Sequence, residues 1–350
     1  MAVDPEILAG PVQAMLRENM GLKDGESVLV LTDVPAAAEL SGLDLAAAQD
    51  FLDRVLLARA VATLAARAFR TADVQFVAYP SVGQHGRELS TDVAAKMAES
   101  DVVLALTTYS LTHTDATARA AKAGARIASM PGITPSMFGP GGPMAVDYTA
   151  IREETRRIAA LLTAARQVHL TCPAGTDLTF SIEGRSGEAD DGFLATPGAW
   201  GNLPAGEAYT APLEGTAEGR LVVRAGWYPG LKENMTLYFS HGEVYRVEGG
   251  GQVGSQFSEL LGLVSSGMPD TTVRARRNCA ELGIGTNPNA RTPDNVLEAE
   301  KIRGTIHIAI GDSSHVGGQT PADLHEDFII PEPDVYFDGQ LFMHRGVAVL

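Results

Sequence analysis

The chain has 350 residues, with 27 Lys and Arg against 43 Asp and Glu, a formal net charge of −16, and two cysteines. The length suggests about two domains around a sizeable core, and the acidity excludes nucleic acid as an expected partner, because the short basic cluster Arg274, Arg276 and Arg277 is too small to reverse the surrounding field. Cys172 and Cys279 lie too far apart for a disulfide framework or a thiolate zinc site, which fits a reducing cytosol and leaves histidines and carboxylates as ligands for any metal.

From the amino terminus, Met1 to Gly10 lacks the basic start and apolar core of a signal peptide, and no run reaches the roughly 20 apolar residues of a membrane span. A soluble cytoplasmic protein with no membrane partner is expected. Continuous apolar runs at Ser27 to Leu31, Val74 to Ala78 and Val102 to Leu106, with a shorter one at Arg126 to Ser129, predict strands buried on both faces. Ala-rich helical segments, Asp44 to Phe69, Ser90 to Glu99 and Asp115 to Ala123, lie between them. This alternation predicts a doubly wound parallel sheet with right-handed crossovers. Thr32-Asp33-Val34-Pro35 follows the first strand without the glycines of a dinucleotide fingerprint or a P-loop, so no nucleotide cofactor is expected.

Prolines and glycines between Pro131 and Pro143 mark a crossing between domains. An amphipathic helix is predicted over Asp147 to Arg166, followed by short strands such as Leu178 to Ile182, Gly219 to Val223, Thr236 to Phe239 and Val244 to Val247. The expected fold class is therefore α/β, a Rossmann-like domain over residues 1–145 followed by a β-rich α+β domain over 146–350 that carries the chemistry.

Four of the eight histidines fall between His307 and His344. Thr305 to Ile310 alternates at strand period, so His307 faces away from three isoleucines; by itself this fits a satisfied, half-buried histidine as well as a ligand. His325 and Asp327 stand two apart and share a face of an extended strand, with Glu326 on the other face. An imidazole and a carboxylate converging there supply two metal ligands without thiolate, or else a surface hydrogen bond. Glu207 shares a face with Tyr209 after a Gly/Pro-constrained loop. Asn278 to Asn287 reads as a helix end passing through glycines into a loop, where Glu281 has less reason to be solvated than Glu298 or Glu300. No Gly-x-Ser-x-Gly elbow occurs, and each cysteine reads as a small buried hydrophobe.

These segments together carry a resemblance. Ala174 to Phe180 (AGTDLTF), Asn202 to Pro212 (NLPAGEAYTAP), Glu281 to Asn289 (ELGIGTNPN), His307 to Asp312 (HIAIGD) and His325 to Phe328 (HEDF) resemble, in order and spacing, the M29 family of metallo-aminopeptidases. The resemblance implies a dimer with a one- or two-metal catalytic domain, with Glu207, Glu281, His307, His325 and Asp327 as ligands to zinc, cobalt or manganese. It also implies a small peptide or amide as substrate. Ile302 and Ser314 stand where that family places a further glutamate and a tyrosine. The chain is also similar to a second branch of the same superfamily, the 2,5-dihydroxypyridine 5,6-dioxygenase-like enzymes, which open a ring with one non-haem iron; there His307, His325 and Asp327 would form the triad. That branch carries a histidine where this chain has Glu281 and lacks a counterpart of Glu207, so the two glutamates favour the hydrolytic branch.

On the hydrolytic reading a metal-bound water attacks a scissile carbonyl. Tyr209 hydrogen-bonds the developing oxyanion, His315 stabilises it or contacts substrate, and Glu326 or Asp312 are candidate bases. A binding or assembly module without turnover is the third expectation, motivated by Ile302 and Ser314.

Overall fold

The computed structural model describes residues 4–112, 114–264 and 270–349. They form two compact units: residues up to Thr149 with Gly192–Ala205, and Ala150–Asp191 with Gly206–Leu350.

In the first unit, α1 (Pro5–Ala14) precedes the predicted alternation of β1 (Ser27–Val34), α2 (Leu45–Ala68), β2 (Asp73–Pro80), α3 (Thr91–Ala98), β3 (Val102–Ala105), α4 (Asp115–Lys122) and β4 (Arg126–Ser129). Asp44 begins α2 by accepting the Ala47 N–H at 2.8 Å, and Leu57, Ala58, Val61 and Ala65 form its buried stripe. The sheet is parallel throughout, because β1, β3 and β4 are buried along their length and need helices on both faces. Its order is β2-β1-β3-β4 followed by Trp200–Asn202, the eighth strand of the chain and here β8. That last strand makes the division discontinuous, unlike the contiguous split expected at residue 145. Three residues pairing parallel with β4 return 192–205 to the first unit, and their Trp-Gly-Asn sequence carries no strand periodicity.

The second unit is built on two antiparallel sheets, as the change to short punctuated strands predicted. The larger contains β5 (Gln167–Thr171), β6 (Asp177–Ser181), β10 (Glu218–Val223), β11 (Met235–Ser240), β12 (Glu243–Gly249), β16 (Asp334–Phe337), β17 (Gln340–His344) and β18 (Val347–Ala348). The smaller runs β15-β14-β13-β9-β7, with β7 (Glu188–Asp190), β9 (Glu207–Thr210), β13 (Cys279–Gly285), β14 (Thr305–Gly311) and β15 (His325–Pro331). Leu221, Val223, Leu237 and Phe239 of the larger sheet share one core with Ala208, Leu282, Ile284, Ile306, Ile308, Ile310, Phe328 and Ile330 of the smaller. Side chains of α5 (Tyr148–Ala164), Ile158 and Leu162, join the same core.

The segment expected to be a helix end is strand β13. Its glycines serve close packing instead of a turn: a Cβ on Gly283 would lie 2.0 Å from the His307 ring, and one on Gly285 would lie 2.1 Å from the Ile302 carbonyl oxygen. Both cysteines are free, and burial pushes the Cys279 thiol up to about 12. Arg274 and Arg276 are neutralised by Glu243 and Asp323. Among the described residues no helix is long and apolar enough to cross a membrane.

Candidate metal centre

Strand alternation puts the chemistry on one face of the smaller sheet. Residues 208, 282, 284, 306, 308, 310, 328 and 330 point into the core, so the residues between them in register face the other way: Glu207 and Tyr209 on β9, Glu281 and Gly283 on β13, His307 on β14, His325 and Asp327 on β15. Plain alternation would give Cys279 and Glu281 the same face. A register shift between them sends Cys279 into the core opposite Ile310 and turns Glu281, opposite Ala309, to the functional face.

All five sequence-predicted ligands come together there. His307 Nε2 lies 3.4 Å from Glu207 Oε2, 3.4 Å from Glu281 Oε1 and 4.0 Å from Asp327 Oδ1. His325 Nε2 lies 3.2 Å from Glu281 Oε2 and 3.7 Å from Asp327 Oδ2. Donor atoms on a common metal at about 2.1 Å stand about 3.0–3.4 Å apart, so the shorter contacts already have the spacing of a coordination shell. Glu207 Oε2 and Asp327 Oδ1 are buried without a hydrogen-bond partner, in a setting where such groups are costly unless an ion satisfies them. His307 is 1% exposed, so the half-buried reading of it is corrected: β14 is an inner strand of the sheet, flanked by β13 and β15, and buried along its length. The donor set of imidazoles and carboxylates fits a divalent first-row metal.

Polar partners orient the donors. His325 Nδ1 stands 2.7 Å from the Asp312 carbonyl oxygen, which assigns a proton to Nδ1. Burial would lower the His325 pKa, but Asp327 and Glu281 raise it well above the ordinary imidazole value, so Nε2 must release its proton before it can bind a metal. His315 stacks edge-on against His325 with ring centroids 4.5 Å apart, and His315, His325 and Glu281 each offer a donor atom within 4.8 Å of the others. Its Nδ1 is 2.5 Å from Asp312 Oδ2. Burial would raise the Asp312 pKa, but bonds from Ser314 and His315 hold it below the ordinary carboxylate range, so this group is engaged in orienting the loop. Glu326 is removed from candidacy as a base: it points away from the donors and accepts the Tyr228 hydroxyl at 2.7 Å. Tyr209 lies on the functional face, where burial, followed by the charge of Glu281, raises its phenol and keeps it a neutral donor.

Sequence reasoning missed Lys301, Asp190 and Glu300. Lys301 is 1% exposed, and its Nζ lies 2.5 Å from Glu207 Oε1, 3.0 Å from Glu300 Oε2 and 3.6 Å from Asp190 Oδ2. The run Leu-Glu-Ala-Glu-Lys reads as a solvated helix face, and that reading of Glu298 and Glu300 is corrected. Glu298 is buried, accepting the backbone N–H groups of Arg291 and Thr292, and Glu300 turns to Lys301. Burial raises the pKa of Asp190 and Glu300 despite that ammonium.

A titration behaviour follows. In the metal-free protein burial would lower the His307 pKa, but the Glu281 hydrogen bond and the charges of Glu207 and Asp327 overcome it and raise the value to about 9. A metal takes only the neutral imidazole, so loading at pH 7 should release protons, and affinity should fall as the pH is lowered. The sign for stability is fixed by the same shift. The raised pKa stabilises the metal-free fold fully below 6.5, and that contribution is lost as the pH rises through about 9. Calorimetric titration in buffers of different ionisation enthalpy reads the proton release; none at pH 7 would contradict the assignment of His307.

The fold and site thus define an α/β protein whose second unit gathers two histidines and three carboxylates on one sheet face. The chain belongs to the 2,5-dihydroxypyridine 5,6-dioxygenase (NicX) family, which it matches over residues 12–350. It is 25% identical over 214 residues to a 2,5-dihydroxypyridine 5,6-dioxygenase of Pseudomonas putida KT2440, a match covering 56% of this chain and 59% of that relative's length. Its fold is similar to the solved structure of the 2,5-dihydroxypyridine dioxygenase from Pseudomonas putida KT2440, with a TM-score of 0.74 at 19% identity over 99% of this chain and 98% of the other. It is also similar to AmpT from Thermus thermophilus, with a TM-score of 0.62 at 17% identity over 99% of both chains.

Proposed function

We propose that this protein is a mononuclear non-haem iron(II) dioxygenase that opens the ring of a hydroxylated pyridine or a close aromatic relative. This reverses the order of the two branches drawn from the sequence. The observation that carries it is His307, His325 and Asp327 on adjacent strands of one sheet face, two imidazoles and a carboxylate, in a chain that belongs to this family along nearly its whole length.

Ferrous iron, when bound, supplies the one-electron chemistry by which dioxygen reacts with a closed-shell aromatic ring. The chain's own residues do the rest. His307 Nε2, His325 Nε2 and Asp327 would hold the ion, and the Asp312 carbonyl fixes the His325 tautomer. Glu281 spans the two imidazoles, one oxygen toward each, and carries the negative charge that keeps both turned inward. Tyr209 offers a neutral hydroxyl on the same face.

A second reading is hydrolysis of a small peptide or amide by a metal-activated water. It is favoured by Glu207 and Glu281 standing among the donors, as the resemblance to the M29 family drawn from the sequence implies. One pair of assays separates the two. Iron-loaded protein is expected to consume dioxygen with 2,5-dihydroxypyridine and to leave a leucyl chromogenic amide intact with cobalt, zinc or manganese. Amide hydrolysis without dioxygen uptake would reverse the assignment, and neither activity would favour a binding role.

A further inference from the structure

Among the described residues Lys301 is the lysine whose ammonium stands among the carboxylates of the metal face, and its position is fixed by its backbone. The Asn287 N–H donates to the Lys301 carbonyl at 2.8 Å, the Arg303 N–H donates to the Asn287 carbonyl at 3.1 Å, and Gly285 lets this loop press against β13. The ammonium has three protons and meets three carboxylates, Glu207, Glu300 and Asp190. Glu207 divides its two oxygens. Oε1 takes the ammonium at 2.5 Å, and Oε2, with no hydrogen-bond partner, faces His307 Nε2 at 3.4 Å. One oxygen of this carboxylate is thus held by a cation of the protein, and the other is left free toward the donor atoms of the metal face.

We propose that Lys301 is a resident ammonium standing where a second divalent cation would otherwise sit, bridged by Glu207 to the metal position, so that this centre takes a single ion. The inference deepens the single-iron reading of the site and rests on its assignment of the donors. A buried ammonium removed from water is costly unless fully paired, and the buried Glu207 with the part-buried Asp190 and Glu300 would be costly without a cation, so each requires the other. The pairing also gives Lys301 a positioning role. Held at Oε1 by Nζ, Glu207 would have only Oε2 to offer the ion, beside His307, His325 and Asp327.

The test replaces the ammonium and counts ions. Wild-type protein saturated with manganese(II) is expected to hold one ion per chain and to show the electron paramagnetic resonance spectrum of an isolated ion. Lys301→Met, which keeps the length of the side chain without its charge, is expected to hold two ions with the spectrum of a coupled pair, and Lys301→Arg to hold one. Two ions in the wild type, or one in folded Lys301→Met, would overturn the proposal. Should Lys301→Met not fold by itself, refolding it in excess manganese decides: a folded chain with two ions supports the inference, and no recovery overturns it. The outcome is separable from the catalytic reading. One ion in the wild type without dioxygen consumption removes the ring-opening assignment and leaves the role of Lys301 intact, whereas two ions with dioxygen consumption does the reverse.

Discussion

His325→Ala is expected to lower metal affinity by more than about 100-fold and to abolish metal-dependent turnover, with the fold retained. Loss of a partner that only orients a ligand costs about 10–100-fold in affinity, and here the ligand itself is removed. The Nε2 atom stands 3.2 Å from Glu281 and 3.7 Å from Asp327, so its loss leaves two buried carboxylates facing each other without the imidazole between them. The fold survives because His325 is the first residue of β15, with a partly exposed side chain, whereas the core contacts of that strand begin at Phe328. Glu281→Ala should behave alike, since that carboxylate contacts both imidazoles. Elemental analysis of the purified variants and their thermal melting curves test this; either variant retaining its full metal content removes that residue from the ligand set.

Gly283→Ala should destabilise the second unit by about 1–3 kcal/mol, the range for overpacking a filled interior, and should also reduce metal content. The added Cβ would lie 2.0 Å from both Cε1 and Nε2 of His307. His307 is buried between β13 and β15, so the imidazole must shift to admit the added methyl group. Its displacement moves the donor atom itself, so stability and metal binding fall together. Gly10→Ala is the control: a Cβ there meets nothing within 4 Å, and a helical glycine replaced by alanine gains stability of about 0.5–1 kcal/mol. Urea denaturation of both variants, with metal content measured in parallel, distinguishes a local clash from a general effect of losing a glycine. An unchanged midpoint for Gly283→Ala would show that His307 is not packed against that position.

The parallel sheet and the pairing of His325 with Asp327 were legible because both are local patterns. Buried strands need uninterrupted apolar runs, as in β1 and β3, and residues two apart on an extended strand necessarily share a face. Glu281 was legible only through the resemblance. Its own surroundings, with Gly283 and Gly285 after it, looked like a loop, because a glycine chosen for space against a neighbouring ring is indistinguishable in sequence from one chosen for a turn. Lys301 and Glu300 gave no signal at all. A charged pair in a charged run has the composition of a solvated surface, and its burial depends on Asp190 and Glu207, about a hundred positions away.

By itself, then, the sequence determined the element types and the chemistry on offer: a histidine- and carboxylate-based site without thiolates, on the alternating strands of the second half. The tertiary structure decided which of those groups meet. The register shift at Cys279/Glu281 chose the face of Glu281, the glycine at 283 made room for the imidazole opposite it, and the closing of the loop at 300–302 set an ammonium among the acids. Each depends on contacts between residues distant in the chain, where side-chain volume and the cost of an unpaired buried charge act, and neither is written in local periodicity.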